Sequence, residues 1–193
     1  FLIVLTHHTD NLSAQKLAAH YATRQWTTEN GLPSSAILDM HQSKSGYLWL
    51  VTYNGLLRYD GISFYNFDHN YPSYFKANSV YSIAETPDST ILFGTSNQGI
   101  VKYKNNKLIK IETPDFFIQR IFAEDNKRVW LGTKNSGVYI LNIQKNTLSK
   151  VESEILNNTS INFIGKSPSG NIWIGTESSG IFVHNDGKLI QLP

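Results

Sequence analysis

The sequence predicts an all-β fold, a β-propeller of about four four-stranded blades, and two observations carry that prediction. A short motif occurs four times, and its clearest copy is Trp173-Ile174-Gly175-Thr176. The motif threonines lie at positions 52, 95, 133 and 176, in steps of 43, 38 and 43 residues. Each repeat also contains four short apolar runs separated by turn residues. Four antiparallel strands per repeat of about 40–45 residues are typical of propeller blades.

The first repeat shows how the strands follow one another. Residues 36–41 predict an inner strand, residues 47–52 a second strand, and Asn54-Gly55 a tight hairpin turn, because both residue types tolerate positive φ. Residues 56–59 and 62–67 predict the third and fourth strands. Extended to the whole chain, this plan predicts a partial propeller over residues 17–193. Its blades are predicted at 36–67, 80–112, 118–151 and 161–192, with a ring-closing strand and a leading loop at 17–35.

The Trp-aliphatic-Gly-Thr motif suits the second strand of a blade. Side chains alternate between the two faces of a strand, so Trp173 and Gly175 point one way and Ile174 the other. We expect the tryptophans to fill the gap between adjacent blades and the glycines to let the next sheet approach closely. Leu92 replaces tryptophan in the second copy, which favours a packing role over a ligand role.

Length, charge and cysteine content limit the kinds of fold, partner and chemistry that this chain can have. With 193 residues and 40% hydrophobic residues, the chain can bury a sizeable core. A formal net charge of +2 is too small a bias to indicate nucleic acid as a partner. The absence of cysteine excludes disulfide and thiol chemistry. The apolar run at residues 1–5 is too short to span a membrane, and residues 1–16 are expected to be a signal-peptide remnant or a disordered end.

Three stretches near the start of the chain carry a family resemblance. They are QWTTENGLP at residues 25–33, SGYLWL at 45–50 and NGLLRYDG at 54–61. Together with the later motif copies, they resemble the two-component-regulator propeller family over roughly residues 22–193. The departures are Val51 in place of glycine, Leu92 in place of tryptophan, a shorter loop in the first repeat, and the presence of only four repeats.

This resemblance implies a location and a role. Family members are large bacterial membrane receptors with periplasmic ectodomains built from propellers, typically seven-bladed. Their cytoplasmic output is a histidine kinase of a hybrid two-component system or a diguanylate cyclase. The resemblance therefore implies that this chain is an N-terminal segment of such a periplasmic sensor. It would hold four blades of a larger ring and belong to a membrane-anchored protein.

The aromatic loop at residues 68–79 and the hairpin tips are the candidate ligand-binding features, because inter-blade connections and these hairpins share one face of a propeller. Aromatic rings beside amides suit sugar rings, so a carbohydrate or another small ligand is the expected partner. The alternative is that the rings of the loop pack under the blade rim. The candidate residues are Tyr53, Asn54, Tyr71, Tyr74, Phe75, Asn97, Gln98, Asn135 and Glu177.

The sequence lacks recognisable catalytic, phosphate-binding and metal-binding motifs. None of the six histidines is spaced with a carboxylate as a metal motif, and there is no phosphate loop, nucleophile elbow or calcium loop. We therefore predict no catalytic residue, no metal and no cofactor. A non-enzymatic receptor segment is the first hypothesis, and a structural or dimerisation module is the second. A propeller lyase or glycosidase ranks last, since the inner-strand regions offer only Asp39 and Glu85 as carboxylates.

The ends of a four-blade arc raise a separate question. An open arc would expose apolar sheet faces, and we expect Trp49 and Leu50 to line one end and Ile174 and Phe182 the other. Faces of that size are seldom left in water by a soluble monomer. Three arrangements would cover them: closure as a four-bladed ring, head-to-tail pairing of two chains into an eight-bladed ring, or the missing blades of the full protein. Of the two arrangements open to this chain alone, pairing is favoured over the four-bladed ring.

Overall fold

Four separate antiparallel sheets make up the computed structural model, which describes residues 24–75, 79–114, 116–185 and 187–193. Each sheet has four strands in the order in which they follow along the chain, so the predicted fold class is confirmed. The first sheet contains β1 (Ile37–Gln42), β2 (Leu48–Thr52), β3 (Gly55–Tyr59) and β4 (Phe64–Asn66), and the second contains β5 (Val80–Glu85), β6 (Ile91–Thr95), β7 (Ile100–Lys104) and β8 (Lys107–Ile111). The third contains β9 (Ile118–Ala123), β10 (Arg128–Thr133), β11 (Val138–Asn142) and β12 (Thr147–Lys150), and the fourth contains β13 (Ile161–Lys166), β14 (Ile172–Thr176), β15 (Ile181–Asn185) and β16 (Lys188–Gln191).

Helical structure in the described residues is confined to single turns. They are an α-helical turn at Phe67–Asn70 and 3₁₀ turns at Thr28–Asn30 and Leu156–Asn158. In this part of the chain, no helix combines the length and apolar character needed to cross a membrane. The segment predicted as a signal remnant, residues 1–16, lies outside the described residues.

The motif threonine closes the hairpin between the second and third strands of every sheet. The Oγ1 of Thr133 donates to the carbonyl of Gly137 at 2.7 Å and accepts from the backbone N–H of Ser136 at 3.0 Å. The same hydroxyl-to-glycine bond recurs at Thr52, Thr95 and Thr176, at 2.8–2.9 Å. The repeat therefore keeps threonine because its hydroxyl satisfies a donor and an acceptor of the turn.

Replacing Thr133 by valine should lower the free energy of unfolding by about 1–3 kcal/mol, since valine keeps the shape but leaves the half-buried N–H of Ser136 without its acceptor. Urea denaturation measures this change. The same replacement at Thr176, which is less buried and whose turn is open to water, should have a smaller effect. Equal losses at the two positions would argue against the buried-hairpin explanation.

Packing between neighbouring sheets follows the predicted plan at the three internal joints. Trp49 and Trp130 are 1% exposed, and Leu92 is fully buried at the equivalent position. A Cβ on Gly94 would lie 2.7 Å from Ile118 Cγ2, and one on Gly132 would lie 2.6 Å from the equivalent Ile161 Cγ2, so these glycines do permit close approach.

The prediction that Trp173 is largely buried is wrong, since 37% of this residue is exposed. No described sheet follows the fourth one, and the face that would be covered by a next blade is open. The expectation for the open ends needs the same correction. Trp49 packs against the second sheet, and Ile174 and Phe182 pack with Trp130 of the third sheet. Strand alternation separates the two faces but does not say which neighbour each face meets.

The segment before the first sheet packs on that sheet. A ring-closing strand is predicted within residues 17–35, but residues 24–35, the described part of that range, form no strand. The ring of Trp26 lies edge-on to Tyr59 and Phe64, with centroid distances of 5.2 and 5.9 Å. Leu32 joins Leu50 in a small buried cluster with Leu57 on the same face. Leu50 therefore lies on the end face of the arc as expected, but Trp26 and Leu32 cover this part of the face.

Polar contacts also tie the sheets together. Glu124, at the end of the third sheet's inner strand, accepts from the indole Nε1 of Trp130 at 2.8 Å and from Lys166 Nζ of the fourth sheet at 3.0 Å. Burial raises the pKa of Glu124, but the hydrogen bonds from Trp130 and Lys166 and the nearby Arg128 outweigh it and leave the pKa below its usual value. The carboxylate is thus stabilised as an anion in the folded state.

This lowered pKa predicts a pH dependence of stability. A carboxyl whose pKa is depressed by folding contributes stability above its unfolded value of about 4.3, and that stability is lost as pH falls through the folded pKa. The Glu124→Gln variant should therefore be less stable than the parent at pH 6, and the difference should shrink as pH approaches 3. Urea midpoints at the two pH values measure it. A difference that stays constant with pH would contradict the assignment.

Candidate ligand-binding site

Each sheet's inner strand carries a β-bulge at the same place. The pairing of β1 with β2 skips Leu38, and the equivalent pairings in the other three sheets skip Tyr81, Gln119 and Asn162. The inner strands β1, β5, β9 and β13 contact one another in that order. Because bulges re-aim side chains and interrupt pairing, this row is where the inner strands present residues outside the regular sheet pattern.

A cavity of about 330 Å³ lies beside these bulges. Three bulge residues line it, together with side chains from the loops that lead into the third and fourth sheets and from two hairpins. Its lining residues are Leu38, Tyr81, Phe117, Gln119, Arg120, Lys134, Ser160 and Glu177.

Both aromatic and charged groups line the cavity. The rings of Tyr81 and Phe117 meet edge to face with centroids 4.2 Å apart, and Lys134 Nζ lies 5.7 Å from the Phe117 centroid. Arg120 is held in place by its Nε, which donates to the carbonyl of Asn162 at 2.8 Å, and by a second bond to the Gln119 carbonyl. The lining thus offers apolar ring faces and two cations against one carboxylate.

Gln119 gives the cavity an unsatisfied polar group. Its Nε2 donates to Asn162 Oδ1 at 2.7 Å, which fixes the amide. Its Oε1 is buried and has no hydrogen-bond partner among the described residues. A buried acceptor left unpaired is unfavourable, and this one belongs to a residue of the cavity lining.

The two predicted inner-strand carboxylates are engaged elsewhere. Asp39 accepts from the backbone N–H of Ile83 at 3.0 Å, and burial raises its pKa although that hydrogen bond acts in the opposite direction. Glu85 is bonded by the His41 ring at 2.9 Å and by the backbone N–H of Lys44. Neither carboxylate lines the cavity. In the part of the chain that is described, no group of three or more acidic, histidine or cysteine side chains could hold a metal ion.

Of the nine predicted binding residues, Glu177 is the one that lines this cavity. Tyr53 is exposed at the first hairpin tip, and Asn54 donates to the Pro33 carbonyl at 3.2 Å. Asn97 is exposed and Gln98 is half-buried at the second tip. Asn135 accepts from Ser160 Oγ at 3.3 Å, beside the cavity.

The aromatic loop packs against the first two sheets. Phe75 is 1% exposed and meets the ring of Phe93 at 5.5 Å. Tyr71 lies 5.4 Å from Phe67, and Tyr74 is half-buried against the same cluster. These positions correspond to the alternative in which the loop tucks its rings under the blade rim. Binding roles for the nine residues remain predictions.

Sequence reasoning missed Tyr81 and Gln119. A signal for them was present, because all four bulge residues lie fourteen positions before the motif threonine of their repeat. Their residue types differ from repeat to repeat, while the position before each of them is always isoleucine or valine. The bulge position is therefore set by geometry, and its side chain is free to vary.

Comparisons with known proteins agree with this architecture. No family model and no curated protein sequence matches the chain. Among solved structures, the extracellular domain of the putative hybrid two-component system BT4673 from B. thetaiotaomicron superposes with a TM-score of 0.70 at 26% identity. The expected resemblance to two-component-regulator propellers is confirmed. The match covers 85% of this chain but only 23% of that one.

Two further structures extend the comparison. The extracellular domain of the putative hybrid two-component system BT3049 from the same organism gives a TM-score of 0.56 at 19% identity, covering 86% of this chain and 31% of that one. A virginiamycin B lyase from Staphylococcus aureus gives 0.67 at 16% identity, covering 84% and 58%. At these identities the similarity shows the propeller fold alone.

Proposed function

We propose that this chain is a non-enzymatic segment of a periplasmic sensor propeller in a bacterial transmembrane receptor. Its role would be to bind a signal or transmit its presence to a cytoplasmic histidine kinase of the hybrid two-component type or to a diguanylate cyclase. The observation that carries the proposal is the 26% identity to the extracellular domain of BT4673 over 85% of the chain.

The cavity beside the bulges is the proposed ligand site. Tyr81 and Phe117 offer ring faces to a sugar or another flat ligand, and Gln119 offers an unpaired acceptor. The charges of Arg120 and Lys134 against Glu177 favour a ligand with an anionic group. A small carbohydrate that carries a carboxylate combines these features.

Binding should therefore distinguish acidic from neutral sugars. Glucuronic and galacturonic acids, with glucose and galactose as neutral counterparts, can be titrated into the 193-residue chain by calorimetry. The acids are expected to bind, and Lys134→Ala should weaken that binding about tenfold, equivalent to about 1.4 kcal/mol.

Lys145→Ala is the matched control, because it removes an exposed lysine from the turn between β11 and β12, outside the cavity lining. It should leave affinity unchanged. Equal weakening by the two variants would indicate a general charge effect, and equal binding of acidic and neutral sugars would reject the anionic preference.

A structural or dimerisation module is the second candidate function. The observation in its favour is the open apolar face of the fourth sheet. The lyase and glycosidase alternative receives only a shared fold from the comparison with virginiamycin B lyase, and Asp39 and Glu85 are both occupied by hydrogen bonds.

A further inference from the structure

The fourth sheet ends in an uncovered apolar face. Phe163, Trp173, Ile181 and Ile190 are all exposed there, and Gly175 lies among them on β14. Trp173 is 37% exposed, whereas the residues at its position in the other sheets are 0–1% exposed. We call this surface the open face.

The internal joints show what covers such a face. Ile118 packs over Gly94, and Ile161 packs over Gly132, each as the first residue of the following inner strand. Val80 has the same position in the second sheet and belongs to one buried cluster with Val51. Each inner strand therefore begins with a β-branched aliphatic residue that packs against the second strand of the preceding sheet. This residue lies fifteen positions before the motif threonine of its own repeat.

Ile37 is the fourth member of that series, and among the described residues no sheet precedes the first one for Ile37 to pack against. It pairs with Thr52 as Ile161 pairs with Thr176. Ile37 is 42% exposed, while its counterparts Val80, Ile118 and Ile161 are 0–5% exposed. The fourth sheet thus has an apolar face with no described sheet packed on it, and the first sheet has an exposed isoleucine of the kind that packs on such a face.

We propose that two copies of this chain associate head to tail, with the open face of each copy covered by the first sheet of the other. Ile37 of one copy would then seat beside Trp173 over Gly175 of its partner, repeating the geometry of the three internal joints. Two such joints related by a two-fold axis close a ring of eight blades, which lies within the known range of about 4–8. This goes beyond the proposed sensor role and concerns the 193-residue chain; in a longer chain, further blades would cover the same face in place of the partner copy.

A four-bladed ring is disfavoured by the same two residues. Closure of one chain on itself would bury Ile37 and Trp173 together, yet both are exposed. The described residues before the first sheet, 24–35, do not block the joint. Trp26 packs on Tyr59 and Phe64 at the outer strands of the first sheet and leaves Ile37 on β1 uncovered.

The mass of the purified 193-residue chain tests the association. Sedimentation or light scattering should give twice the 21.8 kDa of one chain at high concentration, falling toward a single chain on dilution. Ile37→Glu and Phe163→Glu should each abolish the dimer, because a buried charge without a partner is unfavourable. Ile109→Glu changes an equally exposed isoleucine on β8 and should leave the dimer intact. Far-UV circular dichroism of every variant confirms that it is folded.

Mixing the two disruptive variants identifies the arrangement. In a head-to-tail joint, the intact open face of Ile37→Glu can still receive the intact first sheet of Phe163→Glu, so the mixture should regain a dimer with one joint. A face-to-face joint between two open faces predicts instead that Ile37→Glu alone still dimerises. That result, or a single-chain mass at all concentrations, would overturn the proposal.

Discussion

Replacing Trp130 by alanine is expected to lower the free energy of unfolding by about 3–5 kcal/mol, the usual cost of removing a large buried ring. Trp130 is 1% exposed and lies in the cluster that joins the third and fourth sheets. Its ring meets His184 edge-on at 5.0 Å, and its Nε1 donates to Glu124. Alanine would leave a cavity at the joint and remove one of the bonds that hold Glu124 as an anion.

Urea denaturation followed by circular dichroism measures this loss. Tyr53→Ala is the control, since it also removes an aromatic ring but from an exposed hairpin tip, and it should change stability by less than about 0.5 kcal/mol. If Trp130→Ala were as mild as Tyr53→Ala, the joint between the third and fourth sheets would have to be looser than its buried cluster indicates.

The fold could be predicted from the sequence because its evidence is repeated four times. One copy of Trp-Ile-Gly-Thr is weak evidence, but four copies at nearly constant spacing, each with four apolar runs, leave little other than a propeller. The role of the glycines followed for the same reason, since Gly94 and Gly132 hold equivalent positions. Local periodicity and turn chemistry were sufficient at this level.

The direction in which each face packs could not be predicted in this way. Alternation places Trp173 and Gly175 on one face, but only the handedness of the whole arc decides whether that face meets the preceding or the following sheet. The exposed ends were therefore assigned to Trp49 and Ile174, which are buried. Among the described residues, three copies of the motif are followed by another sheet and the fourth is not, a difference that lies outside the motif itself.

The candidate cavity was missed because of the bulges. A bulge shifts the alternation by one residue, so a strict period of two makes no distinct prediction for Tyr81 or Gln119. Composition drew attention to the aromatic loop instead, whose Phe75 is buried among core rings. Glu177 was found because the hairpin tips share a face, an argument that depends on topology and is not affected by the bulges.

The close approach of the sheets predicts a second large effect. Replacing Gly132 by valine should lower the free energy of unfolding by about 3 kcal/mol, at the upper end of overpacking effects. Even a Cβ at this position would lie 2.6 Å from Ile161 Cγ2 and 2.8 Å from Ile161 Cβ, so the fourth sheet would have to move away. Valine favours strands more than glycine does, so intrinsic propensity alone predicts a gain. A loss therefore reports on the joint between the sheets.

Gly175→Val is the matched control for Gly132→Val, because it is the same substitution at the same strand position on a sheet with no described successor. A Cβ on Gly175 would meet only Phe163, at 3.1 Å from its Cβ, and a shift of a few tenths of an ångström within this uncovered sheet would relieve the contact. Both substitutions are best measured in an Ile37→Glu background, where association of two copies cannot cover Gly175. Gly132→Val should then be strongly destabilised and Gly175→Val close to neutral. Similar losses at the two positions would mean that valine disturbs the strand itself, and the close approach of neighbouring sheets would no longer explain the glycine of the motif.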